Sequence, residues 1–137
     1  MSYLLDTNVV SEWRKPVPNR GVIEWFETVE PTELFLSVVT VGEIRRSIAK
    51  LRARRQHRKA AAIESWLAAT KDQFADRLAP ITAEVAEEWG NCGARVPVPM
   101  ADGLIGATAR VHGWTVVTRN TKDFQATGAR LLNPFTD

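Results

Sequence analysis

Five short apolar runs, each closing on or running into a polar or turn residue and separated by longer stretches of helical period, constrain this chain more than any other feature. They are Tyr3 to Asp6, Leu34 to Ser37, Leu78 to Ile81, Thr115 to Thr118 and Ala129 to Leu132. Helical periods run near Thr7 to Trp13, Gly21 to Thr28, Val41 to Leu51, Arg58 to Phe74, Ala83 to Ala94 and Ala101 to His112. Strands that alternate with helices build an α/β domain with a mostly parallel sheet, because each crossover helix covers a sheet face. Thr40 is placed to cap the helix carrying Glu43, Thr82 to cap the next, and Gly113 to stop the helix after His112. Pro16, Pro18, Pro97 and Pro99 mark loops. With no repeat, low-complexity tract or flexible linker, residues 1–137 read as a single domain.

Composition removes several kinds of chemistry. A single cysteine, Cys92, excludes an internal disulfide framework and a cysteine-based zinc site, and His57 and His112 are too few and too scattered to supply one. Any metal must be held mainly by oxygen. Asp6 interrupts the apolar start too early for a signal-peptide core, and no stretch approaches the roughly 20 apolar residues of a membrane span. The expectation is a cytoplasmic protein that makes no use of a membrane.

Charge is unevenly spread. Arg45 to Lys59 holds 8 of the 18 lysines and arginines and no acid, which leaves 10 basic against 16 acidic residues elsewhere. A polyanion could lie on the basic stretch while a cation offsets the acidic remainder. Such a run is also what a solvated helix face looks like, and Ile48 and Leu51, at helical spacing from Ile44, must pack.

Asp6 directly follows the first strand in Leu4-Leu5-Asp6-Thr7-Asn8, and ligands of open α/β sheets bind at the carboxyl ends of strands. Glu43 lies one turn into the helix after the second strand, Asp102 opens a later helix, and Asp123 sits in the polar turn after Val116-Val117-Thr118. Each has an ordinary reading as a helix cap, a dipole partner or a turn former. Four such coincidences are less economical than one converging cluster. Carboxylates a few ångströms apart repel and raise one another's pKa, so they either share a proton or bind a cation. Mg²⁺ or Mn²⁺ suits all-oxygen ligands, and metal-activated water hydrolyses phosphodiesters. No phosphate-cradling glycine loop, Ser-His-Asp set or Cys-His pair is present.

Taken in order, these motifs resemble a PIN domain, and more narrowly the VapC-type toxins of bacterial toxin–antitoxin pairs, including FitB-like members. The resemblance rests on Leu4-Leu5-Asp6-Thr7-Asn8 with Ser11-Glu12, on Ser37 to Ile44, on Ala101 to Ala109 and on Val117 to Phe124. It implies a five-stranded parallel sheet sandwiched by helices and a Mg²⁺- or Mn²⁺-dependent endoribonuclease acting on single-stranded or looped RNA. Asp6, Glu43, Asp102 and Asp123 would form the catalytic cluster, with Asp6 and Asp102 as metal ligands and Thr7, Thr118 and Asn120 in support. Arg45, Arg46, Lys50, Arg52, Arg54 and Arg55 are the candidate RNA-binding residues. The family further implies a homodimer, with higher hetero-oligomers, and a small antitoxin whose C-terminal segment covers the active site and can place an arginine among the acids. Trp13, Trp25, Trp66 and Trp89 are expected either in the groove for that segment or in the core.

Two other readings have distinct signatures. A phosphorylated receiver-type domain would need a lysine after the last strand, where this chain has Asn133-Pro134. A non-catalytic RNA- or partner-binding module would depend on the basic stretch and tolerate loss of the acids.

Overall fold

A computed structural model describes residues 1–94 and 96–136. Its strands are β1 (Tyr3–Leu5), β2 (Leu34–Ser37), β3 (Leu78–Ala79), β4 (Thr115–Val117) and β5 (Arg130–Leu132). They form one parallel sheet in the order β3-β2-β1-β4-β5. The helices are α1 (Thr7–Val10), α2 (Arg20–Phe26), α3 (Val38–Ala53), α4 (His57–Gln73), α5 (Ala83–Asn91), α6 (Met100–His112) and α7 (Thr121–Phe124). The expected α/β class and parallel sheet are both present. Among the described residues, no helix is long and apolar enough to cross a membrane.

Alternation along the strands builds a separate core on each sheet face. Leu5, Leu34, Leu36 and Val117 meet Val9, Val10, Val22 and Phe74 on one side. Leu4 and Val116 meet Ile105, Ala109 and Phe124 on the other. A third cluster, Ile44, Ile48, Ala60, Ile63 and Leu67, joins α3 to α4 as a helical hairpin. Trp13, Trp25 and Trp66 are packed against the first core, as the burial alternative anticipated.

β1 and β4 end one residue before their apolar runs do. Asp6 and Thr118 nevertheless extend the ladder through their N–H groups, which donate to the carbonyls of Val117 and Leu132. Their side chains are thereby released at the carboxyl edge of the sheet. The chain moves from β1 to β2 on one side and later returns to β4 on the other, so the ends of β1 and β4 flank the point where strand order reverses. Open α/β sheets bind ligands at that crevice.

The cap expected at Thr40 is corrected to Ser37. Ser37 leaves β2 in an extended conformation, and its Oγ accepts from the Val39 N–H at 3.0 Å, so α3 starts at Val38. Thr40 is instead buried inside the helix. Glu43 thus lies in the second turn, beyond the reach of a simple dipole explanation. Thr82 does cap α5, accepting from the Val85 N–H, and Gly113 closes α6 with a φ of 72°.

Candidate active site

Asp6, a candidate site residue, is the N-cap of α1. Its Oδ1 accepts from the Thr7 N–H at 2.8 Å, which starts α1, while its Oδ2 accepts from Thr118 Oγ1 at 2.8 Å across the β1–β4 crevice. Thr118 Oγ1 in turn accepts from the Asn120 N–H at 2.9 Å, which shapes the turn leading to Asp123. Thr7 Oγ1 donates to Glu43 Oε1 at 2.8 Å, tying α3 to the same point. Thr7 and Thr118 thus bind the carboxylates of Glu43 and Asp6, Asn120 reaches them only through its backbone N–H to Thr118, and Asn8 Oδ1 accepts from the Arg119 N–H.

Asp102 enters from the first turn of α6. The small residues Gly103 and Gly106 of that helix are buried. A Cβ on Gly103 would lie 2.9 Å from Trp89 Cδ1, so Trp89 rests directly on the backbone beside Asp102. That contact was not legible beforehand, because it requires α5 to lie on α6. Asp123 is exposed on α7.

Electrostatics show that the four acids share one region. Burial pushes the Asp102 carboxyl up to about 6, and the charges of Asp6, Glu43 and Asp123 push in the same direction. Asp6 is raised chiefly by burial, against the lowering bonds from Thr118 and Thr7, with Glu43 and Asp123 raising it further. A carboxyl raised on folding binds more protons in the folded than in the unfolded state between its two pKa values. Stability of the metal-free protein is therefore expected to fall as pH rises through about 6, the value to which Asp102 is raised. Thermal melts in chelator should show this slope, and Asp102→Asn should flatten it; a parent slope of opposite sign would contradict the coupling.

Glu12 behaves in the opposite way and in a lower window. Burial raises it, but Lys15 at 2.5 Å, the Asn19 N–H and the charge of Arg119 together hold it below its ordinary value of 4.5. It adds stability above that value and loses it as pH falls further. Lys15, three residues after Glu12, was the available sequence signal for this pairing of a buried carboxylate with an exposed ammonium.

The donor set of four carboxylates with hydroxyl support is entirely oxygen, and its mutual repulsion calls for a cation. Among the described residues, no three Asp, Glu, His or Cys side chains are drawn close enough to hold an ion directly. An all-oxygen donor set is of the kind that Mg²⁺ or Mn²⁺ takes, since such an ion retains several waters between itself and the protein.

The basic candidates divide into separate groups. Arg45 Nη1 contacts Glu64 Oε1 at 2.6 Å and Arg52 pairs with Glu64 Oε2, so both clamp α3 to α4. Arg54 and Arg55 lie at the end of that hairpin, Arg55 lining a separate hollow with Gln56 to Lys59. Arg46 and Lys50 line a cleft that also contains Thr7 and Glu43.

Comparison with known proteins adds an independent finding. Residues 3–129 match the model of the PIN domain. The chain is 34% identical to Toxin FitB of Neisseria gonorrhoeae, covering 98% of this chain and 99% of that protein. It is 32% identical to VapC ribonuclease Y4jK of Sinorhizobium fredii, with 96% of each covered. The crystal structure of FitAcB from Neisseria gonorrhoeae superposes with a TM-score of 0.84 at 33% identity, covering 96% of this chain and 97% of that one.

Proposed function

The chain belongs to the PIN-domain family, and from that premise we propose that it is a Mg²⁺- or Mn²⁺-dependent endoribonuclease, the toxin of a toxin–antitoxin pair. The observation that carries this reading is the junction at the strand-order reversal, where Thr7 and Thr118 bind the carboxylates of Glu43 and Asp6 and where Asp102 and Asp123 lie near enough for the acids to feel one another's charge. The similarity to a toxin and to a VapC ribonuclease supports the same class of chemistry.

Asp6 and Asp102 are assigned the cation, directly or through water, and Glu43 and Asp123 face the same charge. A bound Mg²⁺ or Mn²⁺ supplies Lewis acidity that lowers the pKa of water and offsets charge growing on a phosphoryl oxygen. The protein's contribution is orientation. Thr118 and the Thr7 N–H fix both oxygens of Asp6, leaving only their remaining lone pairs for other partners. Thr7 Oγ1 fixes Glu43 in the same way, so neither carboxylate must reorient when substrate arrives. Repulsion among the acids also gives a counter-charge a role in regulation. An arginine from the C-terminal segment of a small antitoxin would neutralise the cluster and compete with the cation. This action on RNA and its restraint by a protein partner place the chain in the cytoplasm.

The test is incubation of purified chain with single-stranded RNA. Cleavage is expected with Mg²⁺ or Mn²⁺ and none in excess chelator. Undiminished cleavage in chelator would overturn the metal-dependent reading, and an absence of cleavage under both conditions would favour a binding module.

A further inference from the structure

Beside the carboxylates, between α3 and the start of α6, lies a cleft of about 580 Å³. Glu43, Arg46 and Lys50 stand three and four residues apart along its α3 wall and so share one helical stripe. At 1.5 Å of rise per residue, the two cations stand about 5 and 10 Å along the axis from Glu43. Val39, Met100 and Leu104 supply the apolar part of the lining, and Met100 is left 63% exposed there. Among the described residues, neither Arg46 nor Lys50 belongs to an ion pair, whereas Arg45 and Arg52 share Glu64.

Gly42 supplies a second observation. It lies inside α3 on the cleft, its φ is not positive, and a Cβ built on it would meet nothing within 4 Å. Neither backbone conformation nor packing demands glycine there, although glycine costs about 1 kcal/mol against alanine in a helix interior. The residue keeps the cleft open at a cost to the helix. A close-lying occupant accounts for that cost; core packing does not.

We propose that this cleft is a nucleotide subsite, in which Arg46 and Lys50 hold a phosphate adjacent to the scissile one while a base of the same RNA strand lies against Val39, Met100 and Leu104. Cations match the phosphate, and an apolar wall receives an unstacked base. Acids at one end of the cleft and cations along its flank set the strand's direction past Asp6 and Glu43. The inference rests on the nuclease reading for its choice of RNA.

The test is anisotropy of a short fluorescent single-stranded RNA on an Asp102→Asn background, so that cleavage does not confuse binding. Arg46→Gln with Lys50→Gln should weaken binding at least about tenfold and lower the salt slope by roughly 0.7, the value for the one single-strand phosphate the two side chains share. Gly42→Leu, which projects into open space and suits a helix, should fold normally and weaken binding by a similar factor. Arg45→Gln with Arg52→Gln removes the same charge from the same helix and should change affinity less than about twofold. Equal losses from the two arginine-containing pairs, full binding by Gly42→Leu, or no binding by the background protein would each overturn the subsite. If the parent cuts no RNA yet this binding pattern holds, the subsite stands and the nuclease reading falls. If Arg46 and Lys50 variants cut with undiminished kcat/KM, the subsite falls and the nuclease reading stands.

Discussion

Gly106→Ala is expected to lower the thermal midpoint by roughly 5–10 °C, corresponding to about 2 kcal/mol for a domain of this size. The added Cβ would lie 2.5 Å from Thr127 Cβ and 2.7 Å from its Cγ2 and Oγ1, far inside the ordinary contact distance of about 3.5–4.0 Å. Thr127 has little freedom to retreat. It is 1% exposed, its Oγ1 donates to the Phe124 carbonyl at 2.6 Å, and the same oxygen accepts from the Ala129 N–H at 3.2 Å. Alanine would contribute about 1 kcal/mol of helix propensity, but overpacking costs about 1–3 kcal/mol and each broken hydrogen bond about 0.5–1.5 kcal/mol. The steric term wins. Because α6 also carries Asp102, whatever protein remains folded should show reduced cleavage. Denaturant or thermal unfolding measures the effect, and an unchanged midpoint would show that the α6 contact is looser than its geometry states.

The sequence exposed most of this architecture because side-chain alternation is local. Leu4 and Leu5 face opposite cores, and the same holds for Val116 and Val117, so each short apolar run identified a strand correctly. Strand ends were less legible. Asp6 and Thr118 retain ladder hydrogen bonds through their N–H groups while their side chains bond each other at the strand ends, so one residue serves the sheet and the candidate site together. The misplaced Thr40 cap has a similar origin. Ser37 and Thr40 both suit a cap, and which of them turns the chain depends on where β2 releases it.

The candidate site residues could be named by type and position, but their couplings could not. Thr7 reaches Glu43 over 36 residues and Thr118 reaches Asp6 over 112, distances that only the sheet order closes. The basic run offered six equivalent candidates, yet Glu64 on α4 occupies Arg45 and Arg52 and leaves Arg46 and Lys50 on the cleft. No pattern within α3 could separate them, because the separating residue comes from another helix. Trp89 against Gly103 follows the same rule.

Asp6→Asn is expected to reduce RNA cleavage by more than about 100-fold, since loss of even an outer-sphere partner costs metal sites about 10–100-fold. The fold should survive. Asparagine keeps an oxygen for the Thr7 N–H, and its amide nitrogen can donate to Thr118 Oγ1, which accepts from the Asn120 N–H and retains a second lone pair. Removing the charge also relieves the repulsion felt by Asp102, so the metal-free variant should melt no lower than its parent. The two readouts thus move in opposite directions: stability is kept or raised while cleavage is lost and added Mg²⁺ or Mn²⁺ stabilises less. A merely structural cap would lose both together, because its only contribution is to start α1. Cleavage within about tenfold of the parent, measured on the same single-stranded RNA, would assign Asp6 to capping alone and transfer the cation to Asp102 and its remaining neighbours.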